Sequence, residues 1–119
     1  MIDHVRLHVA DAARSKAFYE LALAPLGYRV VMEPVPGVVG MGTRFPDFWF
    51  AESGAATVAH VAFRAEDQAA VDAFHAAALA AGGTDNGAPG LRERYHPGYY
   101  GAFALDPDGN NVEAVHHTF

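Results

Sequence analysis

The segment His4-Val5-Arg6-Leu7-His8-Val9-Ala10-Asp11 returns 56 residues later as His60-Val61-Ala62-Phe63-Arg64-Ala65-Glu66-Asp67. The register continues at the same offset, pairing Ala13 with Ala69, Ala17 with Ala73, Phe18 with Phe74, Leu23 with Leu79 and Gly27 with Gly83. A repeat of half the chain length implies two like modules related by a pseudo-twofold, each too small to bury its own core alone. Because each copy begins with a histidine, the repeat also implies two imidazoles in related positions. We divide the chain into one domain of two modules, about 1–56 and 57–119.

Alternation within each repeat start reads as a strand. Val5, Leu7 and Val9 fall on one side and His4, Arg6 and His8 on the other; Val61, Phe63 and Ala65 oppose His60, Ala62 and Arg64. A helix follows in each half. Asp11 and Asp67 are the expected N-caps, and Gly27 and Gly82-Gly83 the expected stops. The apolar stripe of the first helix is placed on Phe18, Leu21, Ala22 and Pro25 or Leu26. That of the second is placed on Val71, Phe74, Ala78 and Ala81, with His75 on the surface. Short strands over Tyr28–Glu33, Val38–Gly42 and Asp47–Ala51 complete the first half. The second half has a loop from Thr84 to Gly98, then strands over Tyr99–Leu105 and Asn110–His116. Asp106-Pro107-Asp108-Gly109-Asn110 is the turn between the last two. The fold expected is α+β, two βαβββ modules forming paired curved mixed sheets around a cleft.

Composition narrows the function classes. The chain has 119 residues, a net charge of −6, one lysine (Lys16) and seven arginines, without a basic run. Nucleic acid is therefore not an expected partner. No cysteine is present, which removes disulfides, thiolate metal sites and thiol nucleophiles. Asp3 and Arg6 interrupt any apolar leader, and no apolar stretch matches a bilayer span, so a cytoplasmic protein with no membrane partner is expected.

Seven histidines without cysteine direct attention to a histidine–carboxylate site. His4 and His60 occupy equivalent strand positions, and Glu113 is an acid within the apolar strand Val112-Glu113-Ala114-Val115. A carboxylate in such a strand needs a cationic or hydrogen-bonding partner. A divalent ion held by His4, His60 and Glu113 would serve all three; two imidazoles and a carboxylate suit Fe, Mn, Ni or Zn. Arg6 and Arg64 are the competing partners for Glu113. Arg6, His8, Trp49 and Tyr99 are candidate substrate contacts. Tyr100 and His96, in the run Tyr95-His96-Pro97-Gly98-Tyr99-Tyr100, are candidate proton donors or acceptors beside Glu113. Such an aromatic lining favours a planar or apolar small molecule.

Ile2-Asp3-His4-Val5-Arg6-Leu7-His8-Val9-Ala10-Asp11 with Ser15, Phe18-Tyr19, Leu23 and Leu26-Gly27 resembles the opening of the vicinal oxygen chelate superfamily. That group includes glyoxalase I, fosfomycin-resistance enzymes, extradiol dioxygenases and bleomycin-resistance proteins. Ala59-His60-Val61-Ala62-Phe63 resembles the start of its second module, and the segment from Gly101 to Glu113 its closing hairpin. The resemblance implies that His4, His60 and Glu113 are metal ligands. Glyoxalase I carries a fourth ligand, a glutamate, where this chain has Trp49, so the lactoylglutathione lyase pattern is incomplete. His-His-Glu resembles the sites of the fosfomycin-modifying and dioxygenase branches instead. The functional expectation is a small metal-dependent lyase, isomerase or dioxygenase, acting as a homodimer on a small-molecule substrate with neighbouring oxygens. The alternative is a metal-free binding protein of the bleomycin-resistance kind.

Overall fold

The computed structural model describes residues 1–118. Its elements run β1 (Val5–Val9), α1 (Ala12–Ala22), a 3-10 turn (Ala24–Leu26), β2 (Arg29–Met32), β3 (Val38–Gly42), β4 (Phe48–Glu52), β5 (His60–Arg64), α2 (Gln68–Ala80), β6 (Thr84–Leu91), β7 (Tyr99–Leu105) and β8 (Asn111–His117). Two four-stranded mixed sheets result, ordered β1-β4-β3-β2 and β5-β8-β7-β6. This is the α+β architecture of two βαβββ modules that the repeat implies.

The local causes are those of the sequence pattern. Asp11 accepts from the Arg14 amide at 3.1 Å and Asp67 from the Ala70 amide at 2.8 Å, capping α1 and α2 at equivalent places. Gly27, with φ of 83°, closes the 3-10 turn in the left-handed region that a Cβ disfavours. The apolar rows of β1 and β5 turn inward: Leu7, Val9, Phe63 and Ala65 join Phe18, Phe48, Phe50, Val71 and Phe74 in one core. That core crosses the modules, since the Phe63 ring meets Phe48 at 5.1 Å and Tyr28 at 5.3 Å, both edge to face.

A second tie between modules is polar. The turn after β7 folds back on α1, where Asp106, only 5% exposed, accepts the Tyr19 hydroxyl. Asp106 also accepts from Asn110 Nδ2 at 2.8 Å and from the amides of Asp108 and Asn110. Asp108 Oδ1 receives the Ala10 amide at 3.2 Å. Buried carboxylates need such donors, and here the first module supplies two of them.

Three local expectations are corrected. Thr84–Leu91, read as loop, is β6, paired antiparallel to β7 with register shifts between Asp85 and Gly87 and between Gly87 and Gly90. Its glycines and Pro89 carry no strand preference, so the ladder of β7 imposes the conformation. His75, expected at the surface, is buried at 9% exposure because β6 brings Asp85 Oδ1 within 2.9 Å of its Nε2. On α1, Leu21 is 57% exposed while Tyr19 is fully buried. The stripe that packs is Ala12, Ser15, Phe18, Tyr19 and Ala22, because Asp106 satisfies the one polar atom of the Tyr19 ring.

Candidate active site

Strand alternation and register place the site on the face of the second sheet opposite its apolar row. Ala62 of β5 lies beside Glu113 of β8, which lies beside Phe103 of β7. Residues two apart share a face, so His60, Ala62 and Arg64 stand with Glu113 and His117, and with Tyr99, Gly101 and Phe103. β8 is interior to the sheet, with β5 on one side and β7 on the other, which is why Glu113 is only 1% exposed.

Both carboxylate oxygens of Glu113 are engaged. Oε1 accepts from His60 Nε2 at 2.8 Å, and Oε2 accepts the Tyr99 hydroxyl. A Cβ at position 101 would stand 3.3 Å from Oε2, tighter than usual contact, so Gly101 leaves the carboxylate its room. Burial, followed by the bond to Glu113, pushes the Tyr99 phenol well above its ordinary pKa. The Tyr99 ring is held edge-on by Tyr95, His96 and His117 at 5.0, 5.2 and 5.3 Å. His96 Nε2 and His117 Nδ1 are 3.1 Å apart in stacked rings. Burial, then the neighbouring His96 and Arg64 charges, lowers the His117 pKa.

The remaining expected residues lie elsewhere. His4 is half-exposed and its Nδ1 is 2.7 Å from Asp3 Oδ1. With Arg6, Phe45 and Trp49 it lines a hollow of about 640 Å³ on the first module. His4 and His60 also both line a seam of about 390 Å³ between modules. Among the described residues, no three His, Cys, Asp or Glu side chains converge as a metal-binding group. His8 is exposed, and its amide donates to Thr57 Oγ1 at 3.2 Å. Tyr100 faces away from Glu113 and donates to Asp72 of α2 at 2.6 Å. The neighbour that touches Glu113 is Tyr99. The hairpin turn could have shown this, because it pairs Leu105 with Asn111 and so puts odd-numbered β7 residues on the Glu113 face.

Trp49 is opposite Arg6 in the first sheet as Glu113 is opposite Ala62 in the second. Since Arg6 and Ala62 are repeat equivalents, the tryptophan occupies the first-module counterpart of the Glu113 position. Its ring lies over Gly40, where a Cβ would come within 2.8 Å of it.

The His60 and Glu113 donor atoms suit a divalent ion as far as they go. At metal–ligand bonds of about 2.1 Å, neighbouring octahedral donors stand roughly 3 Å apart, and these two are 2.8 Å apart. The imidazole and carboxylate could stand as adjacent ligands only once the Nε2 proton of this hydrogen bond is lost, and further donors must come from outside this pair.

A family model described as the glyoxalase/bleomycin resistance protein/dioxygenase superfamily matches residues 1–114. Curated protein sequences yield no match. A glyoxalase/bleomycin resistance protein from Albidiferax ferrireducens shares 33% identity, with 98% of each chain covered and a TM-score of 0.79. A glyoxalase I mutant from Zea mays is 27% identical over 95% of this chain and 45% of its own, with a TM-score of 0.72. A lactoylglutathione lyase from Agrobacterium tumefaciens, 22% identical, shares the fold at a TM-score of 0.70 over 98% and 92% of the two chains. The match over nearly the whole length, with the duplicated sheets and their histidine-led strands, makes this chain a member of the glyoxalase/bleomycin resistance protein/dioxygenase superfamily.

Proposed function

We propose that the protein is a homodimeric, divalent-metal-dependent glyoxalase-like enzyme. Its substrate is a small molecule with neighbouring oxygens, and Glu113 is its central residue. The observation that carries this is the buried Glu113 carboxylate, set between Val112 and Ala114 of β8, with the His60 imidazole of β5 2.8 Å away. The metal, Fe, Mn, Ni or Zn, would supply Lewis acidity toward the substrate oxygens. His60 and Glu113 would hold it from one chain and His4 from a second copy. His4 is assigned to the second copy because within its own chain it does not converge with His60 and Glu113 as a metal-binding group.

The residues around Glu113 have separate tasks. Tyr99 donates to Oε2 and fixes the carboxylate's rotamer, while His60 orients the other oxygen. Phe103, 9% exposed, keeps water from one flank. A carboxylate so enclosed is suited to taking and returning a substrate proton at Oε2 once Tyr99 yields that oxygen. With Trp49 where glyoxalase I has a ligand, the lactoylglutathione lyase reaction is not the activity proposed. Lyase, isomerase and dioxygenase chemistries of other substrates share the same donor set.

The second reading is a metal-free small-molecule binder. The observation favouring it is that Tyr99 and His60 already satisfy both oxygens of Glu113.

Metal analysis of untagged protein tests the choice. The enzyme reading expects near-stoichiometric metal, lost in His60→Ala and in His4→Ala, and partly regained when the two variants are mixed and allowed to exchange subunits. Regain follows because a mixed dimer has one site with all its ligands. Metal retained in His60→Ala refutes the assignment; no uptake of Fe(II), Mn, Ni or Zn favours the binder. If both variants lose metal but mixing restores none, His4 serves its own chain.

A further inference from the structure

From the packing around Arg92 we infer that this residue is a preformed receptor for an oxyanionic group, carboxylate or phosphoryl, on the ligand of the Glu113 site. The inference rests on the reading of Glu113 as the site's centre, and it adds the charge class of the ligand.

Arg92 follows β6, and its amide donates to the Tyr99 carbonyl at 2.7 Å, which sets it opposite Tyr99 and on the same face. Its guanidinium lies over the Phe103 ring, 5.4 Å from the centroid. Nη1 donates to the Gly90 carbonyl at 2.9 Å and Nη2 to the Ala88 carbonyl at 2.8 Å. A long side chain normally gives up considerable rotamer freedom on binding a ligand; here stacking and two carbonyls have already fixed it.

The backbone of β6 is shaped to receive it. A Cβ at Gly87 would stand 3.2 Å from Nη2 and 2.9 Å from the Phe103 ring, and one at Gly90 would stand 3.2 Å from Nη1. The two register shifts of β6 fall at these glycines. Its irregularity thus coincides with the cradle of one guanidinium.

Two of the five N–H donors of a guanidinium go to carbonyls, leaving three. Among the described residues no carboxylate is in ion-pair range of Arg92; the ion pairs involve Arg14, Lys16 and histidines. A fixed, planar cation beside the Tyr99–Glu113 pair matches a carboxylate or phosphoryl group in the bidentate manner that guanidinium favours. Glu113 itself would repel an anion placed directly on it, so the charged end belongs at Arg92 and the reacting end at Glu113.

The experiment is a titration of the intact protein with phenylpyruvate, phenyl phosphate and uncharged phenylacetamide, followed by amide NMR shifts and calorimetry. The Gly87, Gly90 and Gly101 amides report on the cradle and on Glu113. The expected result is saturable shifts at these glycines with one or both anions, at least about tenfold weaker in Arg92→Gln, as befits loss of a charged hydrogen-bonding group. Arg92→Lys should recover only part of the affinity. Preference between the two anions separates a carboxylate receptor from a phosphoryl one. Equal binding of phenylacetamide, unchanged affinity in Arg92→Gln, or no glycine shifts at tens of millimolar anion would each overturn the inference. Manganese uptake by the unmodified protein, read in the same preparation, stands or falls separately and tests the metal assignment alone.

Discussion

Replacing Tyr19 with phenylalanine isolates the polar tie between modules, because the ring stays and only the hydroxyl goes. Tyr19 is fully buried and Asp106 is 5% exposed. Its oxygen can then neither regain water nor leave a cavity that repacking would fill. Asp106 keeps three donors, from Asn110 Nδ2 and the amides of Asp108 and Asn110, so the carboxylate is left under-satisfied rather than bare. A hydrogen bond to a charged group contributes about 1.5–3 kcal/mol, and a central value of about 2 kcal/mol is expected here. For a domain of this size that is a fall of roughly 8–10 °C in Tm. Urea denaturation should give a lower midpoint at unchanged slope. One transition should persist, since the Phe63, Phe48 and Tyr28 contacts also join the modules. Tyr28→Phe is the control: its hydroxyl donates to Asp47 at an exposed site, and its loss should cost under about 1 kcal/mol. A loss below about 0.5 kcal/mol for Tyr19→Phe would refute the argument that this tie stabilises the joined modules, and two separate transitions would refute the argument that the aromatic contacts suffice to keep them one unit.

Two further outcomes follow from side-chain geometry. Gly40→Ala puts a methyl group 2.8 Å from the indole of Trp49, the only tryptophan in the chain. The ring must move, so intrinsic fluorescence should shift while the Glu113 face is undisturbed; an unchanged spectrum would show that the hollow is looser than described. Asp85 is held below its ordinary pKa first by the Gly87 amide and then by His75. A carboxylate so depressed adds stability above its unfolded pKa, and that stability is lost as pH falls through its folded value. Carboxyl NMR should find Asp85 titrating below 3.8, moving upward in His75→Ala. No movement would mean that the imidazole contributes nothing to the carboxylate's charge.

The fold was legible because the repeat states its own symmetry and each copy carries cap, stripe and stop in register. Glu113 was legible for a similar reason: an acid within an apolar strand is costly unless something answers it. What answers it within the chain was only half visible. His60 follows from the repeat, but Tyr99 rather than Tyr100 follows from parity along a hairpin, and a one-residue slip reverses the face. β6 was illegible, since glycine, proline and aspartate gain strand geometry only from the neighbouring ladder. His75 and Arg92 went with it. Both are placed by a strand the local sequence does not announce, and the two glycines that disguise it also make space for the guanidinium.

At the repeat's offset of 56, Tyr19 corresponds to His75, and both are buried helix residues whose polar tips meet an aspartate. The tyrosine reaches across to the other module, whereas the histidine stays within its own. An ancestral duplication would have begun with two interchangeable parts; this pair marks where they ceased to be so. A chain stitched from two second halves would have an imidazole facing the turn that requires a phenol, and it should hold together less well than the natural, unequal pair.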